Sequence, residues 1–230
     1  MMTTHVHRPS NPFSTRFVRP GAISYHCMSS QNAAELANRL ADLSWRAQII
    51  GPHGTGKTTL LHTLAPHLRA AGRTLAWFTL HGGQRRLPPF VQPSAPASRS
   101  VDEHRPRQIG PAVAASRPPG ISLPWNRDTL VIVDGYEQLD IPGRIWLRLR
   151  CRFFGTGLLV TSHQDARLPT LVRTEPRFDT FRCLVRKLTG GDATWIEPPN
   201  LLTCYRRAGG NIRDAFFDLY DQYEQTRPRA

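Results

Sequence analysis

Apolar positions between Asn32 and Leu43 recur at Ala33, Leu36, Ala37, Leu40 and Leu43, the three-and-four spacing of a helix with one buried face. Ala47-Gln48-Ile49-Ile50 is a short apolar run of strand type that leads straight into a glycine-rich turn. Residues Thr58 to Ala71 return to helical spacing, with Leu60, Leu61, Leu64 and Leu68 on one face and Gly72 as the stop. Thr74 to Leu80 reads as a second strand. The pattern then collapses from Gly82 to about Arg127, a stretch holding nine of the twenty prolines and Arg85, Arg86, Arg99, Arg105, Arg107, Arg117 and Arg127. This insert, bounded at 83–128, is expected to be a flexible, basic surface loop.

Order resumes at Thr129-Leu130-Val131-Ile132-Val133-Asp134, an apolar strand that ends in a carboxylate. A helix over about 142–154, a strand over 157–162 and a short strand over 170–173 follow. Three helical stretches come last, 178–188, 198–208 and 212–224, the third opened by Asn211 as N-cap. Strands alternating with helices predict an α/β core with a mostly parallel five-stranded sheet, and the helical tail predicts a small α-helical subdomain. The expected division is an extended arm over 1–30, a core over 31–190 and a helical lid over 191–230.

Composition narrows this picture. A chain of 230 residues supports one sizeable core, or one core with a small appendage, and 40% hydrophobic residues argue against wholesale disorder. Thirty Lys+Arg against seventeen Asp+Glu give a formal net charge of +13, and lysine occurs only at positions 57 and 187. The arginine excess fits a solvated basic surface or a contact surface for nucleic acid or an acidic partner. No apolar run is long enough to span a bilayer, and the first thirty residues lack an apolar leader segment, so a cytoplasmic protein is expected. Cys27, Cys151, Cys183 and Cys204 are scattered without a C-x-x-C pair. That excludes a zinc site or disulfide framework of ordinary spacing, and three of the four read as small core residues.

The chemistry concentrates at Gly51-Pro52-His53-Gly54-Thr55-Gly56-Lys57-Thr58, which fits G-x-x-x-x-G-K-[ST] at every fixed position. Glycines let the backbone curl so that successive N–H groups point at one anion. Lys57 supplies a point charge for phosphate, the Thr58 hydroxyl suits Mg²⁺, and the helix that follows brings its positive end to the same place. The nucleotide-binding stretch is therefore expected over residues 51–59, Thr59 included. Asp134, closing an apolar strand, is the expected second magnesium residue. Gly135 follows it where many ATPases place Glu, so Glu137 is the nearest acid, read either as the water-orienting group or as an ordinary surface acid. Thr161 or Ser162, ending the 157–162 strand, would sense the phosphate if that strand lies between the other two; simple turn chemistry is the alternative, and His163 is a weaker candidate.

On these residues the chain resembles the additional-strand P-loop ATPases, in particular their AAA+ and STAND (NACHT-like) branches, over roughly residues 32–225 without the insert. The resemblance rests on G-P-H-G-T-G-K-T, V-I-V-D-G-Y-E-Q-L, the L-V-T-S-H strand end and G-G-N-I-R-D in the tail. It implies a P-loop NTPase three-layer sandwich with a C-terminal α-helical lid, and a Mg²⁺-dependent ATPase. It also implies that Arg213 reaches back to the γ-phosphate, against the alternative of a solvated helix arginine. The chain departs from the family in lacking an adjacent Asp-Glu pair, and none of Arg167, Arg173 and Arg177 stands out as an arginine finger.

The leading expectation is an ATP-binding, ATP-hydrolysing switch or small motor acting on a protein or nucleic-acid partner, DNA among them, with room for a homo-oligomer. A nucleotide-gated nucleic-acid-binding module is the alternative, and a P-loop small-molecule kinase the second. Asn11-Pro12-Phe13 and Arg19-Pro20-Gly21 run past the base or form a free tail. Arg144, Arg148, Arg150 and Arg152 mark either a basic contact face or a solvated helix surface.

Overall fold

Five strands pair in parallel because their central members are apolar on both faces and need cover on both sides. They are β1 (Arg46–Ile50), β2 (Thr74–Thr79), β3 (Thr129–Asp134), β4 (Gly157–Ser162) and β5 (Thr170–Arg173). In the computed structural model, which describes residues 11–23, 25, 32–87, 125–191 and 198–226, all pairings are parallel in the order β2-β3-β4-β1-β5. Every residue of β3 and β4 is buried. The central part of the basic insert and the first ten residues of the arm lie outside the described residues.

Alternation along β3 sorts the two helical layers. Leu130 and Ile132 point to one side, where α2 (Ala33–Asp42) and α3 (Lys57–Ala70) close a cluster through Leu36, Leu40, Leu60, Leu61, Leu64 and Leu68. Val131 and Val133 point to the other, where α4 (Ile141–Phe153) contributes Leu147 and Cys151. Full burial of each such side chain is worth about 1.5–3 kcal/mol. The helices start where local chemistry stops the strands. Asn32 caps α2 by accepting from Glu35 N at 2.8 Å while Glu35 Oε2 accepts from Asn32 N at 3.2 Å, a reciprocal capping box. Asp140 caps α4 by accepting from Gly143 N at 2.7 Å, with Pro142 in the first turn.

A third cluster lies apart from the sheet and joins α5 (Phe178–Leu188), α6 (Pro198–Arg207) and α7 (Ile212–Thr226). It takes in α5, which the chain pattern assigned to the core segment, through Phe181 and Val185. The arm also departs from the expected extended tail: over residues 11–23 it turns into the short helix α1 (Thr15–Val18) and buries Phe13 in this cluster. Phe13 stacks on Phe216 with ring centroids 6.1 Å apart, and Asn11 Nδ2 donates to Tyr220 O at 3.1 Å. Phe13 is thereby part of the core of the helical cluster, with its ring also edge-on to Tyr223. Among the described cysteines, Cys151 and Cys204 are buried as expected of small core residues, whereas Cys183 is exposed. No helix among the described residues is long and apolar enough to cross a membrane.

Candidate functional site

β4 lies between β1 and β3, with Ile49 opposite Thr161 and Val133 opposite Val160, so three strands end side by side at one edge of the sheet. At that edge β1 runs into the 51–56 turn and α3 starts at Lys57. Gly54 and Gly56 take φ values of +70° and +86°, the left-handed region that only glycine enters freely. The backbone N–H groups of the first turn of α3, which starts at Lys57, have no partner within the helix. Unsatisfied donors converging at a helix start form a site for an anion.

Lys57 is buried in this turn, where Nζ donates to Gly51 O at 2.7 Å and Pro52 O at 2.6 Å. Burial lowers its pKa, and the nearby carboxylates of Glu137 and Asp134 oppose that shift. The Thr58 hydroxyl donates to Asp134 Oδ2 at 2.8 Å, which ties the first turn of α3 to the end of β3. Thr161 Oγ1 donates to Asp134 Oδ1 at 2.5 Å and accepts from Gly135 N at 2.9 Å. Asp134 is thus oriented by two hydroxyls, one from each neighbouring element. Gly135 itself lies at φ +84°, and a β-carbon there would come 2.7 Å from Leu80 O. The position after Asp134 therefore rejects a side chain, and the first available acid is Glu137, in the short 3-10 turn Tyr136–Gln138.

Glu137 meets His163, with Oε1 3.0 Å from His163 Nε2, while its Oε2 is buried and has no hydrogen-bond partner. His163 Nδ1 lies 3.2 Å from Lys57 Nζ and 3.0 Å from Gly51 O, and its ring packs on His53 with centroids 3.4 Å apart. Two acceptors, Glu137 and Gly51 O, favour an imidazolium, whereas burial, Lys57 and His53 oppose it and lower the pKa. Burial and the lysine dominate, because Gly51 O already accepts from Lys57. The partners then assign the neutral tautomer with Nε2–H donating to Glu137 and Nδ1 accepting from Lys57.

A cavity of about 790 Å³ opens over these groups. Its walls include His53 to Thr59, Asp134, Glu137, Thr161 and His163 from the sheet side and Asn211 to Asp214 from the start of α7. Val18, Arg19, Pro20, Ile23 and Tyr25 of the arm complete it. Arg213 lies on this wall, exposed, and its guanidinium has no hydrogen bond or ion pair among the described residues. Asn211 Oδ1 accepts from Arg213 N at 3.1 Å, capping α7. The same Asn211 side chain fills the space that a β-carbon on Gly54 would need, so α7 begins in contact with the glycine turn.

Most of the residues expected in the site are brought together. Gly51 and Pro52 do not line the cavity and serve it through their carbonyls on Lys57. Ser162 is also off the wall: it is buried, and its Oγ accepts from Gln164 N at 3.2 Å. Strand alternation sends 161 and 163 to the cavity and 162 away from it, so His163 takes the place that Ser162 was expected to fill. The Thr161 hydroxyl bonds Asp134 and the Gly135 N–H, which orients the carboxylate at the cavity wall.

The donors suit a magnesium ion carried by a nucleotide. Thr58 Oγ1 and Asp134 Oδ2 are adjacent hard oxygens, whereas no group of three His, Cys, Asp or Glu among the described residues would hold a metal alone. The remaining ligands would be phosphate oxygens and water. No family model matches the chain, and no curated protein matches it.

Proposed function

We propose that this chain binds a Mg²⁺–nucleoside triphosphate, ATP by its resemblance to AAA+ and STAND proteins, and hydrolyses it as a nucleotide-dependent switch or small motor. The observation that carries the reading is the 2.8 Å hydrogen bond between Thr58 and Asp134, made at the edge where β1 and β3 flank β4. In a P-loop fold of the additional-strand type, that pair is where the metal sits. The N–H groups of the glycine turn and of the first turn of α3 would take the phosphate chain, and Lys57 Nζ would exchange its two carbonyls for phosphate oxygens. Bound Mg²⁺, held by Thr58 and Asp134, supplies charge neutralisation at the phosphates.

Glu137 is the group to orient and deprotonate water. Its Oε1 is held by His163 and its Oε2 is buried without a partner, so the side chain must turn toward the cavity before that oxygen can meet a water. Arg213 adds positive charge from the α7 wall, and movement of that wall on phosphate loss is the switch. The arm residues that line the cavity close the end where a base would lie.

Phosphate release from Mg·ATP, measured beside Lys57→Ala and Glu137→Gln, tests the reading. Lys57→Ala is expected to lose both binding and turnover, by at least about a hundredfold in rate. Glu137→Gln is expected to keep ATP binding and lose turnover. Binding without any phosphate release, with or without DNA, would leave a nucleotide-gated binding module. Phosphate transferred to an added hydroxyl compound would leave a kinase.

A further inference from the structure

α4 is amphipathic in a way that its place against the sheet does not use. Leu147 and Cys151 bury one side of it. Ile141, Ile145, Leu149 and Phe153 recur every four residues on the other side and form a ridge about 18 Å long. Their exposures are 70%, 52%, 62% and 83%, and Trp146 beside them is 49% exposed. At about 100° per residue, the middle of this apolar face lies opposite Leu147 and Cys151, so the ridge points straight away from the sheet. Exposed apolar faces of this kind mark a contact surface.

The charges on the helix are all of one sign. From Ile141 to Gly155 the chain carries Arg144, Arg148, Arg150 and Arg152 and no acid, and Asp140 just before them is taken up as the N-cap. None of the four arginines makes an ion pair among the described residues. Arg144 donates to Leu139 O at 2.8 Å and Glu137 O at 2.6 Å, and Arg148 to the Tyr136 hydroxyl at 3.0 Å. Those acceptors are neutral, so the positive charge stays uncompensated. Helical spacing sets Arg148 and Arg152 along one flank of the ridge and Arg150 along the other. The Arg150 guanidinium lies among Trp125, Trp146 and Phe154, with its carbon 4.9, 5.2 and 5.5 Å from the ring centroids. Aromatic rings that hold a cation at the rim of an apolar face suit a boundary between hydrocarbon and water.

We propose that α4 lies in the plane of an anionic lipid surface, with Ile145, Trp146, Leu149 and Phe153 among the acyl chains and the arginines against headgroup phosphates. Cations on both flanks of an outward apolar ridge match a plane of phosphates that the ridge parts as it enters. The contact is peripheral: the helix lies on the bilayer and is too short to cross it. Nucleic acid fits less well, because the aliphatic ridge would hold its phosphates off the arginines, and protein–DNA interfaces are polar. The basic insert is no better a cover, since residues 88–124 carry four arginines against Asp102 and Glu103 and so share the sign of α4. A second α4 would likewise set arginine against arginine. The proposal rests on α4 and does not depend on the nucleotide reading.

Flotation of the full chain with two sets of vesicles tests this, one of phosphatidylcholine mixed with phosphatidylglycerol and one of phosphatidylcholine alone. Wild type is expected to bind the anionic set at least about tenfold more tightly than the neutral set. Leu149→Gln combined with Phe153→Gln keeps every charge and is expected to weaken anionic binding by at least about tenfold. Arg152→Gln is expected to weaken it by about fivefold, the share of one arginine near the surface. Brominated acyl chains should quench Trp146 emission in wild type, and Trp146→Phe should lose that quenching. All the replaced side chains are exposed, so thermal midpoints should match wild type; if the double variant shifts, Arg152→Gln and the quenching decide. Three results would overturn the proposal. A wild type that leaves anionic vesicles unbound would give the α4 face to an acidic protein. Vesicle binding that the double variant retains in full, without quenching, would mean a basic surface that does not insert. Duplex DNA bound more tightly than anionic vesicles, and weakened by Arg152→Gln but not by the double variant, would give the face to nucleic acid.

Discussion

The two walls of the cavity are built by different physics. On the sheet wall, Thr58, Asp134, Thr161 and the Gly135 N–H form one connected set of hydrogen bonds between 2.5 and 2.9 Å. They hang on strands whose register fixes them, and Asp134 and Thr161 are buried. On the helical wall, Arg213 and Asp214 are exposed, and the polar contacts are the cap bonds of Asn211 to Arg213 N and to Asp214. A fixed wall holds groups to catalytic tolerance, and a loosely tied wall can change its distance to that site at small cost. On the proposed reading, the sheet wall would carry the chemistry and the helical wall the reporting.

The strongest way to break the comparison is Asp134→Asn. An amide keeps the shape and one acceptor, so the fold should survive with a loss of about 1 kcal/mol, read as a denaturation midpoint. Without the carboxylate charge between Thr58 and Thr161, Mg²⁺-dependent phosphate release should fall by at least about a hundredfold. Activity close to wild type would remove the sheet wall from the chemistry. Gly54→Ala attacks the junction of the two walls instead. A β-carbon at φ +70° costs about 1–2 kcal/mol and overlaps Asn211, so α7 must move off the turn. Thermal stability and nucleotide affinity should fall together, with affinity lower by about tenfold, and a variant that binds like wild type would show that the walls are not coupled here.

Much of the sheet wall was legible in the chain. β1, β3 and β4 appear as apolar runs ending at a glycine turn, a carboxylate and a Thr-Ser-His triplet, because local composition sets where a buried strand starts and stops. What the runs did not distinguish was Ser162 from His163, although strand alternation carries that information once Thr161 is placed on the cavity side. The helical wall was less legible. Phe13 and Asn11 reach α7 across more than two hundred residues of sequence, and Asn211 reads as a cap without revealing that it also packs on Gly54. The α4 ridge is visible as helical spacing, but spacing does not say which of two apolar faces the sheet will cover.

Arg213→Ala sharpens the contrast from the helical side. Its side chain is exposed and has no partner among the described residues, so stability should stay within about 0.5 kcal/mol of wild type. Turnover should drop by about tenfold while ATP binding changes less, the pattern of a group used as charge develops. Equal loss of binding and turnover would make Arg213 an ordinary phosphate contact.

The smallest effect concerns His163, which faces Lys57, His53, Glu137 and the Gly51 carbonyl. Its pKa is lowered in the folded protein, chiefly by burial and then by Lys57. The unfolded chain titrates near the ordinary value of about 6.5. Between the lowered value and that ordinary value the unfolded state binds more protons, so stability rises with pH across this window and is lost as pH falls through it. The contribution is bounded by one proton, a slope of at most about 1.4 kcal/mol per pH unit. His163→Gln cannot take up this proton but keeps an N–H for Glu137, so denaturation midpoints of the two proteins should converge toward acid pH and separate above the window. A difference that instead narrows as pH rises past the ordinary value would mean that His163 is protonated in the folded state, because its folded pKa would then be raised. The proton would then sit between Glu137 and the Gly51 carbonyl, and the anchored oxygen of Glu137 would belong to an ion pair.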